Sequence, residues 1–515
     1  MKKILWGCLP LLTAALAACG SSPEVRQDLL PTPSAAVTAS SATSQTVQVG
    51  HFEVTYAVTS DWGSGFMGSI TIKNNGPLVN GWKLEWTYAG DQKIAGMWNG
   101  VPTQNGQKVS VANASYNAQL YTGDSVTIGF QGEYSGTNTV PTVFTLNGVS
   151  NGQPGGEEPP PPPPPGGTWV MGYYVGYHHD KYPLEAVNWQ AMTHVAVGRL
   201  MPYADGTIST DFDIDWYNGP RWAKSVVDRA HANNRKTILM LGGAGTRGGF
   251  VGAASPQNRS TFVTNILKVV DQYGFDGVDL DWEPVEAEDQ EPLRALAEEL
   301  RARRPGLLLT LPVNYVNTTW SDLDLPYYAS IAPLFDRVNI MSYAMNGVYD
   351  SWHSWHSSAL TGSTRNTPTS VETSVDAYIN AGIEPGKLGV GIGFFGSCYS
   401  GVTGPNQFSD SMKLVADDND MSYTNIMSSY YSEAVKRWDD RAKVPYLSSE
   451  VPLGPKGCNF VSYEDPQSIA LKGEFVRSRG LGGAIIWNIN EGYLPTAPAG
   501  SRDPLMDAVK QAFLQ

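Results

Sequence analysis

The chain has 515 residues, of which 41% are hydrophobic and 11% aromatic. That composition excludes a disordered protein and leaves room for about two to four domains at roughly 150 residues each. Only 16% of residues are charged, against about 25% in a typical soluble protein, which suits an extracellular β-rich or carbohydrate-handling protein. The 35 basic and 49 acidic residues give a net charge of −14. With no basic cluster to offset it, this balance argues against a nucleic-acid partner.

At the start of the chain, Lys2 and Lys3 precede an apolar run over residues 4–18. The run is shorter than the ~20 residues a spanning helix needs, so residues 1–18 read as a signal peptide. The stretch Leu16-Ala17-Ala18-Cys19 resembles a bacterial lipobox. That resemblance implies lipidation of Cys19 and an exported, cell-surface protein whose only membrane contact is a lipid anchor. Ordinary cleavage and secretion, with Cys19 incidental, is the alternative. Residues 19–45 are a flexible spacer rich in Ser, Thr, Ala and Pro.

Residues 46–150 contain short alternating runs at 52–58, 68–72, 82–88, 109–111 and 125–128, divided by turn residues such as Asn75-Gly76-Pro77. Strands at this spacing without helical periods predict an antiparallel β-sandwich. Trp82 and Trp86 fall on one face of one run and read as core. Several stretches carry a resemblance: Asp61-Trp62-Gly63-Ser64-Gly65-Phe66, Gly81-Trp82-Lys83-Leu84-Glu85-Trp86, Met97-Trp98-Asn99, Asn113-Ala114-Ser115-Tyr116-Asn117 and Gly129-Phe130-Gln131-Gly132. In that order they resemble a family 2 carbohydrate-binding module. The resemblance implies a flat strip of exposed aromatics, here Trp62, Trp98 and Tyr116, that stacks on chitin or cellulose. The cysteine pair that joins the module's ends in that family is absent.

Residues 151–167 form a spacer that includes seven consecutive prolines, Pro159 to Pro165. Such a run favours extended polyproline II and separates two domains.

Across residues 168–515, apolar runs at 169–177, 194–200, 236–243, 277–282, 307–314, 337–343, 388–395 and 483–489 alternate with helical stretches such as 223–233, 256–273 and 291–303. This β–α rhythm predicts a (β/α)8 TIM barrel. The last spacing is too long, so an α+β insertion is expected between strands 7 and 8, holding Cys398 and Cys458. In an exported chain these two can pair as a disulfide; two free thiols are the alternative. The cysteines and seven histidines show no metal-ligand spacing.

The fourth run carries the chemistry. Asp279, Asp281 and Glu283 are two apart and project to one face of the strand. Val278, Leu280 and Trp282 take the other face. In a barrel the acidic face is the interior, where three carboxylates cannot all ionise cheaply. A carboxyl with a raised pKa suits a general acid, and Glu283 comes last, at the C-terminal rim. A calcium loop would need turn-forming residues between the acids, and these are apolar.

With Asp276, these acids match the Asp-x-x-Asp-x-Asp-x-Glu signature of family 18 glycoside hydrolases, and the rest of the domain is similar in order. Leu241-Gly242-Gly243 resembles the third-strand Ser-x-Gly-Gly motif, with Met240 in the serine's place. Met341-Ser342-Tyr343 resembles the sixth-strand Met-x-Tyr-Asp motif, with Ala344 in place of the Asp. The segment 463–468 resembles the insertion that walls the cleft. The resemblance implies a retaining chitinase that uses the substrate's own 2-acetamido group as nucleophile, an exception to the two-carboxylate scheme. Glu283 is then the acid, Asp281 orients the acetamide, Asp279 pairs with Asp281, and Tyr343 bonds the acetamide oxygen. Trp487 floors the sugar subsite, with Tyr173 and Met341 beside it. Asn346 or a neighbouring loop residue is a candidate to replace the missing Asp. Trp320, Trp352 and Trp355 follow barrel strands and are either stacking residues or packing. The expected partners are chitin or chito-oligosaccharides bound by a monomer in a walled cleft that suits exo or processive action; no cofactor is needed. An endo-β-N-acetylglucosaminidase acting on glycoprotein glycans and a non-catalytic chitin-binding lectin are the alternative functions.

Overall fold

The computed structural model describes residues 43–76, 79–151, 167–320, 323–349 and 351–515. The signal peptide, Cys19, most of the first spacer and the proline run lie outside the described residues.

The first fold is an antiparallel sandwich. One five-stranded sheet has the order Thr43–Val49, Phe52–Asp61, Gly65–Asn74, Ser125–Glu133, Lys93–Trp98. The other has the order Val149–Ser150, Phe144–Leu146, Lys83–Thr87, Lys108–Asn113, Gly100–Asn105. Alternation creates the shared core: Phe52, Val54, Tyr56 and Val58 point inward from one strand. Trp82, Leu84 and Trp86 close the opposite side. The strands Lys93–Trp98 and Gly100–Asn105 escape the sequence reading for a physical reason. Neither buries a single residue fully, so neither shows an inward-outward alternation of apolar side chains.

The second fold is a closed parallel barrel. Its strands are β1 (Trp169–Val175), β2 (His194–Leu200), β3 (Lys236–Ala244), β4 (Gly277–Glu283), β5 (Leu308–Asn314), β6 (Arg337–Met341), β7 (Leu388–Gly393) and β8 (Gly483–Trp487). Each predicted run became a strand; their C-terminal ends stop up to two residues earlier or one later, where the chain turns into the loops of the open face. Helices Asn218–Ala232, Arg259–Tyr273 and Gln290–Arg303 lie where helical periods were read. The interior holds Met171, Tyr173, Ala196, Met240 and Ile485. The outer faces of the strands join the helices in one large separate core, to which Val278, Leu280 and Trp282 belong. Trp282 stacks on Phe250 with ring centroids 4.9 Å apart.

Between β7 and β8 the chain adds an antiparallel sheet in the order Lys413–Ala416, Ser397–Ser400, Cys458–Ser462, Val444–Leu453, Lys436–Asp439, with a helix at Tyr423–Ser429. Cys398 and Cys458 are disulfide-bonded across two adjacent strands of this sheet. The segment 463–468 turns out to be the exit of the insertion and not its wall. Asp465 caps the helix Pro466–Ser478 by accepting from Ser468 N at 3.0 Å. Just inside that helix, the fully buried Lys472 pairs with Glu464 and donates to Ser358 O at 2.9 Å. Among the described residues no helix is long and apolar enough to cross a membrane.

Candidate active site

β4 delivers the acidic column because strand alternation leaves it no other choice. Its even positions pack against helices, so its odd positions face the barrel axis. Asp279 is fully buried and Asp281 nearly so. β3 runs alongside with Gly242 and Gly243 at φ +106° and +107°. A Cβ on Gly242 would lie 2.3 Å from the Asp281 carbonyl oxygen, so only glycine lets β3 approach the acidic strand this closely.

The three carboxylates have unequal surroundings. Asp279 Oδ2 accepts from the Tyr173 phenol at 2.7 Å, and Oδ1 accepts from Thr310. Burial pushes Asp279 up to about 6, against those two hydrogen bonds. Burial and then the neighbouring charges of Glu283 and Asp279 raise Asp281 well above the carboxylate range. Asp281 shares a hydrogen bond with Glu283, yet its Oδ1 is buried with no hydrogen-bond partner among the described residues. Burial also raises Glu283, which the hydrogen bond from Asp281 and the charge of Arg199 partly counter. The Tyr343 phenol, buried and facing all three acids, is raised far enough to stay a donor.

A cleft of about 520 Å³ opens above the column, and Tyr173, Asp281, Glu283, Met341, Tyr343 and Trp487 line it together. Asp279 lies beneath, sealed by Tyr173. Trp487 and Tyr173 meet at an interplanar angle of 60° with ring centroids 5.3 Å apart, and both line the cleft. Met240 is on the floor, so a buried thioether occupies the place where the resemblance implies a serine. Ala344 lines the cleft at φ +50° with no carboxylate. Asn346 does not replace it. Its Nδ2 donates to the Tyr399 phenol at 2.9 Å and its Oδ1 accepts from Ser397 at 3.1 Å, so both ends are committed to the insertion.

Trp352 and Trp355 are buried, and the Trp355 indole donates to Thr369 O at 2.9 Å. They are packing residues. Trp320 stacks on Trp352 at 5.2 Å and meets the Tyr349 ring at 4.8 Å, half-exposed and not among the residues that line the cleft.

Arg199 and Asp418 are among the cleft residues that escaped the sequence reading. Arg199 lies in the wall beside Gly243, its Nε donating to Asp213 at 2.9 Å. Strict alternation from Val197 would send it outward, but the pairing of β2 with β3 shifts register between Val197 and Leu200. A lone cation in an apolar run was the one signal available. Asp418 enters from the insertion, and nothing local marks it.

On the sandwich, Trp62, Trp98 and Tyr116 are 47%, 48% and 74% exposed. A Cβ on Gly65 would lie 2.7 Å from the Trp62 ring, and one on Gly129 would lie 2.2 Å from the Trp98 ring. Both rings therefore lie down on bare backbone. The Tyr116 phenol donates to Asn99 Oδ1 at 2.9 Å, tying the third ring to the residue after Trp98.

Two sequence-family models match the chain: glycosyl hydrolases family 18 over residues 169–492 and the cellulose binding domain over residues 52–151. Chitinase A1 of Niallia circulans is 28% identical over 289 residues, which cover 50% of this chain and 40% of that protein. Exoglucanase A of Cellulomonas fimi is 45% identical over 118 residues, 23% of this chain and 13% of that protein. The chain thus spans less than half the length of either relative. Among solved structures, the Ostrinia furnacalis Group IV chitinase in complex with allosamidin superposes with a TM-score of 0.56 at 24% identity. The match covers 67% of this chain and 98% of that one. That likeness establishes the fold.

Proposed function

Because the chain belongs to glycosyl hydrolases family 18, we propose that it hydrolyses β-1,4-linked N-acetylglucosamine polymers with retention, using the substrate's acetamide as nucleophile. The observation that carries this reading is Asp281 Oδ1, a buried acceptor without a partner beside a protonatable Glu283. A buried polar atom left unpaired is costly, and an acetamide N–H in the cleft would satisfy it. Asp281 then aligns the acetamide, and its carbonyl oxygen attacks the anomeric carbon. As that C–O bond forms, the glycosidic C–O bond breaks and Glu283 gives its proton to the leaving oxygen. Water next adds to the anomeric carbon of the oxazolinium, returns a proton to Glu283 and regenerates the amide. Tyr343 donates to the acetamide oxygen and holds it in line with the anomeric carbon. Asp279, held by Tyr173 and Thr310, keeps Asp281 from ionising. Trp487, Tyr173 and Met341 form the floor and wall of the sugar site.

The sandwich binds insoluble chitin or cellulose through Trp62, Trp98 and Tyr116, whose flat rings match the apolar faces of a sugar chain. The protein acts as a monomer at the cell surface, tethered through Cys19.

The test is proton NMR of products formed as the purified chain meets an N-acetylglucosamine hexamer. Early β-anomer supports retention. α-Anomer overturns the mechanism. No cleavage by the folded chain favours a lectin.

A further inference from the structure

Just beyond β6, Tyr343 is followed by Ala344, so the cleft has no acid where the resemblance implies one. A carboxylate nevertheless reaches the cleft from elsewhere. Asp418 lines it together with Glu283, Asp281, Tyr343 and Trp487, although it lies 74 positions further along the chain, between the insertion strand Lys413–Ala416 and the helix Tyr423–Ser429. We propose that Asp418 is a substrate-binding residue that grips a hydroxyl of the sugar resting on Trp487, supplying from the insertion the carboxylate that Ala344 lacks. This rests on the glycosidase reading above and adds a specificity residue to it.

Three features of Asp418 support the assignment. First, its side chain is held in place: Oδ2 accepts from Asn419 Nδ2 at 2.8 Å, and Trp487 is close enough to hydrogen-bond it. Second, Oδ1 is buried and has no hydrogen-bond partner among the described residues. A carboxylate oxygen has two lone pairs to satisfy, and a sugar hydroxyl over the indole would meet that need. Third, its backbone sits at φ +43°, a conformation uncommon outside glycine and one that Asp tolerates better than most residues. It shares the cleft lining with the Tyr343 and Tyr177 phenols.

Ala344 offers a built-in control. At φ +50° it occupies backbone space where Asp is better tolerated than Ala. Ala344→Asp therefore restores a carboxylate to the cleft without adding backbone strain.

Asp418→Ala and Asp418→Asn are compared with the parent and with the same changes in an Ala344→Asp background. Turnover is read on the N-acetylglucosamine hexamer, and hexamer affinity by calorimetry in a Glu283→Gln background. The expected result is a loss of about 10–100-fold in kcat/KM, the loss of one hydrogen bond to a charged acceptor. A parallel loss of hexamer affinity and substantial rescue by Ala344→Asp are expected with it. The Asn variant keeps the size and fold and still loses affinity, because it presents a donor where an acceptor is needed. Values within about twofold of the parent in both assays overturn the proposal. So does a loss of turnover that Ala344→Asp does not rescue while affinity stays unchanged. If the parent binds the hexamer without cleaving it, the hydrolase reading fails, and the affinity series alone decides Asp418.

Discussion

Tyr173 donates its phenol to Asp279 Oδ2 at 2.7 Å, and this one bond divides the acidic column. The lowest carboxylate is satisfied by protein donors and sealed from the cleft. The next, Asp281, is left with an unpaired oxygen and a proton shared with Glu283. The column thus presents one acid and one empty acceptor to the substrate.

Glu283→Gln keeps the size of the side chain and removes its transferable proton. Turnover of the hexamer should fall by about 10²–10⁴-fold or more, the usual share of a general acid. Retention on insoluble chitin, measured by sedimentation, should be unchanged, since Trp62, Trp98 and Tyr116 lie on a fold with its own core.

The pH dependence of stability has a definite sign. Asp279 rises from 3.8 to about 6 on folding, mainly through burial. Between those values the folded chain holds a proton that the unfolded chain has released, so stability falls as pH rises. The contribution is fully present below the unfolded value and is lost through about 6. Urea midpoints of the parent and of Asp279→Asn, taken from pH 4 to pH 7, should diverge in the variant's favour as pH rises.

The seating of Trp62 and Trp98 on the sandwich depends on glycine. In Gly129→Ala the new methyl would sit 2.2 Å from the Trp98 ring, so the ring must lift off the strand. Binding to insoluble polysaccharide should weaken by about tenfold, near the worth of one aromatic contact. Hexamer turnover should not change. A depletion isotherm with crystalline chitin and with cellulose checks the first point and ranks the two polymers.

Lys472 and Glu464 form an ion pair with almost no solvent exposure. Lys472→Met strands the carboxylate and should cost about 3–5 kcal/mol in denaturant unfolding. Adding Glu464→Gln should recover a large part of that loss. An unchanged midpoint for the single variant would show that the pair contributes nothing.

Much of the protein was legible in one dimension because its signals are local. Strand alternation gave Asp279, Asp281 and Glu283 a common face before any tertiary contact was known, and the β–α rhythm located all eight barrel strands. The excess length before β8 marked an insertion. The sandwich strands Lys93–Trp98 and Gly100–Asn105 stayed hidden because alternation is visible only where one face is buried.

What the sequence determined by itself is the acidic column, the barrel that contains it and the aromatic strip, since each follows from periodicity along a single strand or from a short motif. Tertiary structure decided the rest of the cleft. Arg199 reaches the wall through a register shift between β2 and β3. Asn346 is claimed by Tyr399 and Ser397 from a sheet that begins some fifty residues later. Asp418 arrives because the insertion folds back over the barrel mouth. Each of these depends on where distant segments meet, and chain proximity carries no trace of that.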